Sequence, residues 1–454
     1  MTAQGSPRRV LSVTDGTLMM VGIVVGVGIF KSPQLVAAFS PNEGVFIALW
    51  VCGGLTTLVG ALVYAELAAA YPSKGGEYHF LRRAFGFPVA FLFAWARTTV
   101  IQTGAIAAVA YVFGDYARQI YPLGSHGSAI YAAAALFALT LLNVAGTYHS
   151  KTVQNVLTLA FIAAMLAIAA IGLMGLGARP PAPAVGEDAS YGMVGLAMVF
   201  ILVSYGGWNE AAYLSGDVRN AAHDMVRILL AGTTTVTLIY VLVNIGYLLT
   251  LGLDGIRKSD AVAADVVGSA LGPDGAIIVS LIVCVAALST MNAIIFTGAR
   301  LYHALGEDLS LTQFRVWDAV RDNPRNAIIL QSAVAMALVL FGAMAQSGFR
   351  AMVEYTAPVF WSFLLLVGLS LFVLRQRDPN RPRPFQVPLY PVTPVLFCLI
   401  CAFLIYSSFV YTGRDALFGI AVLLAGIPLL VFVQVKRRGV AAKLTGKEQE
   451  GSDG

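Results

Sequence analysis

Two short runs could do chemistry with backbone atoms alone. Gly22-Ile-Val-Val-Gly-Val-Gly-Ile-Phe-Lys-Ser-Pro33 sets glycines at 22, 26 and 28, and Ser204-Tyr-Gly-Gly-Trp-Asn209 sets two adjacent glycines, each inside an apolar stretch. Glycine weakens a helix interior, and an interrupted helix leaves N–H groups unpaired on one side of the break and carbonyls unpaired on the other. The N–H groups of Val27 and Gly28 would then suit a carboxylate, and carbonyls at Val24, Val203 and Ser204 an ammonium. Gly26, Ile29, Tyr205, Gly206, Trp208 and Asn209 complete the two breaks. The alternative is that the glycines only let helices pack closely.

Among side chains, Arg97 and Glu210 stand out because charge inside an apolar span is costly unless compensated. Arg97 lies ten residues past Phe87, about 15 Å into the membrane at ~1.5 Å per helical residue. Glu210, seven residues before Asp217, comes to a similar depth. The pair reads either as a gate or proton-responsive site, or as a static ion pair. Glu66 and Glu354, nearer helix ends, read as structural. Membrane-embedded catalysis would need a His/Asp, Ser/Lys or paired-Asp constellation within the spans, and the sequence offers none. The five histidines have no metal spacing, and Cys398-Leu-Ile-Cys401 lacks the flanking histidines or second pair of a metal or redox motif. No enzyme activity and no cofactor are expected.

The elements that position these residues are membrane helices. Of 454 residues 58% are hydrophobic and 12% charged, with a mean hydropathy of +0.77, whereas soluble domains carry roughly 25% charge. Charge-free runs of 24 to 27 residues recur, for example 152–178 and 228–253, each longer than the ~20 residues a spanning helix needs. Long runs apolar on all sides exclude a transmembrane barrel. Breaks at charge and Pro/Gly clusters give about twelve spans, near 14–40, 44–71, 87–118, 128–147, 150–177, 191–217, 225–252, 274–303, 326–345, 350–375, 391–412 and 415–436. Alternate loops carry 21 Lys and Arg on one side and six on the other, which places both termini of a multi-pass plasma (inner) membrane protein in the cytoplasm. The net charge of +5 follows from those loops, so no nucleic-acid partner is implied. All four cysteines lie in apolar runs, so no disulfide is expected. The leader 1–13 reads as retained, 437–454 as a short disordered cytoplasmic tail, and 381–394 as an extended link into the eleventh span.

Both breaks fall in the first helix of a five-helix group, and matched interruptions in two halves point to a transporter binding site. The chain resembles the amino acid/polyamine/organocation permease superfamily, and within it the bacterial relatives of the L-type amino acid transporters. The residues carrying the resemblance are Gly26-Val-Gly-Ile-Phe30 with Ser32-Pro33, Tyr71-Pro-Ser-Lys-Gly-Gly-Glu-Tyr-His-Phe-Leu81, Ile101-Gln-Thr-Gly104, Tyr205-Gly-Gly-Trp-Asn209, Phe296-Thr-Gly-Ala-Arg300 and Arg383-Pro-Phe-Gln-Val-Pro-Leu-Tyr-Pro391. It implies a core of two inverted five-helix repeats, 14–177 and 191–376, with peripheral spans over 391–436, carrying amino acids by alternating access.

Two positions depart from the resemblance. It implies a bulky aromatic gate just before the second break, where Val203 stands; Tyr205 or Trp208 either replaces it or is a packed aromatic. It also implies a lysine in the fifth span of sodium-independent relatives, where Phe161 stands. Ser289 and Thr290, with the carbonyls of Gly22 and Val25, match the oxygens that sodium-coupled members of this fold supply, although helical Ser and Thr more often bond the preceding turn. Sodium coupling and proton coupling or exchange both stay open. The loop between spans 3 and 4 lacks the cysteine by which animal relatives join a heavy subunit, so no such partner is expected.

Overall fold

The computed structural model describes residues 12–73, 75–145, 151–175, 194–215, 218, 220–308, 325–412 and 414–435. Residues 1–11 of the proposed leader (1–13) and the tail (437–454) lie outside these. The described residues are helical and contain no β-strand. Nine helices among them are long and apolar enough to cross a membrane, and three shorter apolar helices are 161–173, 13–24 and 194–204.

The first span is two helices. α1 (Val13–Val24) starts at Ser12, whose hydroxyl accepts from the Asp15 N–H while the Asp15 carboxylate accepts from the Ser12 N–H, satisfying amides at the helix start. It ends at the first glycine break, followed by a 3-10 turn (Val27–Phe30) and α2 (Ser32–Ala38). α3 (Glu43–Ala70) is capped by Asn42, and α4 (Gly76–Phe85) occupies what the sequence reads as a loop. α5 (Phe87–Ala96), a π turn (Arg97–Ile101) and α6 (Gln102–Ile120) form one span. α7 (Gly127–Ala145) and α8 (Lys151–Leu173) follow.

α9 (Val194–Ser204) ends at the second break, and a 3-10 turn (Trp208–Glu210) leads into the four-residue α10 (Ala211–Leu214). α11 (Ala221–Lys258) and α12 (Val262–Asp308) each contain a non-helical glycine, Gly252 and Gly272. These glycines fall at the span ends that the sequence places at 252 and 274, and helix continues beyond them where loop was expected. α13 (Arg325–Gly342), α14 (Gly348–Arg377), α15 (Val392–Thr412) and α16 (Arg414–Leu424) follow, and helix resumes over 426–435, so that the last span runs over Ala416–Val435.

α1, α3 and α8 pack on α11, and α2 packs on α9 and α11. α6, α7, α12 and α13 form a second set, against which the first 3-10 turn leans through α6 and α12. α14 bridges α4, α6, α15 and α16. Glu66, 1% exposed by side chain, ties one end together: it accepts from Arg375 at 2.8 and 2.6 Å and from the Val387 N–H at 2.7 Å. Glu354 pairs with Arg350 at 2.7 Å. Both glutamates are structural.

Candidate binding site at the two helix breaks

The two interruptions lie side by side. A Cβ on Gly28 would come 3.1 Å from the Ser204 Cα, so only glycine lets the first turn approach the end of α9 this closely. Gly207 has φ +102°, and a Cβ there would lie 3.0 Å from the Ile23 carbonyl. It is both in the left-handed region that favours glycine and pressed against α1. These contacts require glycine to build the crossing, not only to ease helix packing. Val27 and Gly28 begin their 3-10 turn after an extended Gly26, where first-turn N–H groups lack an intrahelical partner. Ile29 is fully buried behind them.

The carbonyls differ from expectation. The sequence reading leaves those of Val24, Val203 and Ser204 free. Instead the Tyr240 hydroxyl, from the middle of α11, lies 3.0 Å from both the Val24 and the Ser204 carbonyl oxygens. Val24 also accepts from the Gly26 N–H at 2.6 Å, and Val203 from the Gly206 N–H at 3.0 Å. The physical reason is that buried carbonyls find partners, and a tyrosine from a packed helix can reach two breaks at once. The Val24 carbonyl already has two donors, so only displacement of the hydroxyl frees a lone pair there for a ligand, whereas the Ser204 carbonyl has a second lone pair beside the one that takes the hydroxyl.

Neither aromatic expected as a gate covers the first turn. Tyr205 is fully buried, donates to the Trp50 carbonyl at 3.1 Å and packs 5.0 Å from the Tyr240 ring. Trp208 stacks edge-on to Tyr64 at 4.8 Å and faces Phe397 at 6.3 Å. Both are packed aromatics: Tyr205, at the end of α9, lies against α3 and α11, and Trp208, just after the left-handed Gly207, lies against α3 and α15. Asn209, also placed with the substrate by the sequence, donates instead to Glu77 at 3.0 Å.

That glutamate belongs to a cluster on the side of α4. Arg97, where the helix widens into a π turn, donates to Glu77 at 3.1 Å and to Glu210, joining the pair that the sequence foresaw to a third member that it did not. Tyr64 donates to Glu77 at 2.6 Å. Burial pushes the Glu77 carboxyl above the usual range, opposed by the Arg97 charge, while Glu210 pushes it further up. Arg97, Glu77 and Glu210 line a small cleft with Phe93, Ile101 and Phe363. Glu77 and Tyr240 escaped the reading for different reasons. The first sits in the Gly75-Gly76-Glu77 run, which carries part of the resemblance but whose polarity reads as loop and names no partner for the carboxylate. Tyr240 is one aromatic in a long apolar run and carries no local signal.

Ser289 and Thr290 lie half-buried on α12, and Gly22 half-buried in α1 beside the buried Val25. Phe161 packs edge-on to Phe30 at 5.2 Å, so the position where the resemblance implies a lysine closes against the first break with an apolar ring. Among the described residues no group of three His, Cys, Asp or Glu could hold a metal ion.

A membrane protein of helices, with two glycine breaks crossing at its centre, is the architecture of a permease. The amino acid permease family model matches residues 11–432, and the chain belongs to that family. It is 29% identical over 414 residues to the human b(0,+)-type amino acid transporter 1, covering 89% of this chain and 83% of that protein. It is 27% identical over 424 residues to the serine/threonine exchanger SteT of Bacillus subtilis (strain 168), covering 92% and 95%. The human cystine/glutamate transporter is 26% identical over 430 residues, covering 93% and 84%.

Proposed function

We propose that the protein is a secondary active transporter that moves amino acids across the plasma (inner) membrane by alternating access. The observation that carries this reading is the crossing of the two breaks, Gly28 against Ser204 and Gly207 against Ile23, in a chain matched by the amino acid permease model almost throughout. The substrate carboxylate is bound by the N–H groups of Val27 and Gly28. Its amine takes the carbonyls of Val24 and Ser204, with Val203 beside them, in place of the Tyr240 hydroxyl. A site made of backbone reads the zwitterion and leaves the amino acid side chain to the surrounding helices. The named substrates of the relatives differ from one another, and they are not carried to this chain.

The two repeats run over 14–177 and 191–376, with 391–436 peripheral, and the excess of Lys and Arg in alternate loops puts both termini in the cytoplasm. The end holding α4 and Glu66 is then the inner end. Arg97 with Glu210 forms an inner gate under the substrate. Sodium would sit between Ser289, Thr290 and the carbonyls of Gly22 and Val25. The alternative, favoured by the carboxylates gathered on Arg97, is proton coupling or exchange. No heavy subunit is required.

Uptake of radiolabelled amino acids into proteoliposomes containing the purified protein tests the function. Saturable uptake of at least one amino acid, competed by the unlabelled compound, is expected. Protein-free and protein-containing vesicles that behave alike for all twenty would reject it.

A further inference from the structure

The opposite end of the molecule holds a junction that this reading does not use. Lys31, immediately after the first 3-10 turn, is 3% exposed. Its ammonium lies 2.9 Å from Asp115 on α6 and donates to the Asp260 carbonyl oxygen at 3.1 Å, on the link between α11 and α12; the Asp260 carboxylate stands further off at 3.7 Å. Asp115 is held from its other side by the Ser128 hydroxyl of α7, which donates to it at 2.6 Å. The neighbouring residues repeat the pattern. Tyr116 donates to the Phe30 carbonyl at 3.0 Å and accepts from the Ala263 N–H at 3.4 Å. Two adjacent side chains, one charged and one neutral, thus stitch residues 30–31, 115–116 and 260–263 together. The Lys31 N–H also donates to the Gly28 carbonyl at 3.0 Å, so the junction is anchored in the turn that presents the Val27 and Gly28 amides.

We propose that Lys31 is a positioning residue: paired with Asp115, it holds the substrate-binding turn against α6 and the α11–α12 link while this end is closed, and the pair must part before this end opens. The inference rests on the transport reading. A buried ammonium is tolerable only with its counter-charge, whereas two ions wetted by an open vestibule gain little from each other. The pair therefore favours the closed form over the open one, and an interaction that differs between two states sets their populations. Tyr116 closes the same junction without charge, so the junction keeps a neutral tie when the ion pair is removed.

Ala263, fully buried at this junction, gives the readout. In the full-length protein with its four cysteines replaced by serine, Ala263→Cys is alkylated by a water-soluble maleimide in detergent, where the reagent reaches both ends. Labelling of this parent should be slow. Lys31→Met, which strands Asp115, and Asp115→Asn, which leaves Lys31 only the more distant Asp260 carboxylate, should each speed it by about tenfold or more. Lys31→Asp combined with Asp115→Lys should return it toward the parent rate; Ala84→Cys on α4, fully buried at the other end, should not be labelled faster in the single variants, whereas a merely loosened fold, contrary to the proposal, would speed both. If Lys31→Met does not fold, Asp115→Asn and the charge exchange decide alone. Unchanged labelling in the single variants, or acceleration that the exchange leaves uncorrected, overturns the proposal. Amino acid uptake by the parent, measured in parallel, separates this result from failure of the transport reading.

Discussion

Gly26 and Gly28 are two residues apart, and the structure makes opposite demands of them. An added Cβ at Gly28 would meet the Ser204 Cα at 3.1 Å and its Oγ at 3.2 Å, while at Gly26 the nearest atom is the Val24 carbonyl oxygen at 3.7 Å. Carbon contacts are comfortable at about 3.5–4.0 Å, so Gly28→Ala must push the turn and α9 apart by roughly half an ångström. Overpacking of this kind costs about 1–3 kcal/mol, a factor of roughly 5 to 150 in an equilibrium. Gly26 is extended, with φ −100° and ψ −178°, which alanine adopts freely; there the substitution should be neutral or stabilise by up to about 1 kcal/mol by restricting the unfolded chain. Its methyl group would nevertheless stand in the open space where the substrate is proposed to lie. Thermal unfolding of the detergent-purified variants, with amino acid binding measured alongside, separates the two. Gly26→Ala should keep the parent's midpoint and lose binding; Gly28→Ala should lose both. A Gly26→Ala protein that binds like the parent, or a Gly28→Ala protein as stable as the parent, would refute the reasoning.

Arg97→Met should destabilise by about 3–5 kcal/mol, because it leaves the buried Glu77 without its counter-charge; adding Glu77→Gln should recover part of that loss in the same unfolding assay. Glu66→Gln removes the charge that Arg375 clasps and should lower stability on a similar scale of about 3 kcal/mol, while amino acid affinity of the surviving folded protein stays unchanged. If Ser289 and Thr290 hold sodium, Ser289→Ala with Thr290→Val should raise the sodium concentration for half-maximal uptake, by about tenfold for each ligand lost at ~1.4 kcal/mol. Parent uptake that is identical in sodium, potassium and choline media would reject that site.

The sequence carries the membrane helices plainly, because runs of 24 to 27 residues without charge have few other uses, and the span boundaries read at 252 and 274 fall at Gly252 and two residues past Gly272. It also carries the two breaks, whose glycines are needed for contact with Ser204 and Ile23. The Arg97–Glu210 pair was legible from depth alone, since an isolated charge in a span needs a partner at the same level. What surrounds the breaks was not legible. Tyr240 reaches them from a helix 36 residues beyond Ser204, and Trp208 and Asn209 point away from the first turn because of the single left-handed residue at Gly207. Helix α4 was missed because its short amphipathic run between Gly75 and Gly86 looks like a charged loop when hydropathy is the guide. In each case the deciding fact is a side-chain direction or a contact between distant segments, which local spacing does not encode.

The central claim is that backbone atoms at the two breaks read both charged ends of an amino acid. The most direct measurement compares binding, by calorimetry on the purified protein, of a transported amino acid with its decarboxylated amine and its N-acetyl derivative. Each analogue strands buried donors or carbonyls at about 1–3 kcal/mol, so both should bind roughly 5- to 150-fold more weakly than the parent compound. Equal affinity of the amino acid and its decarboxylated amine would contradict the assignment of Val27 and Gly28.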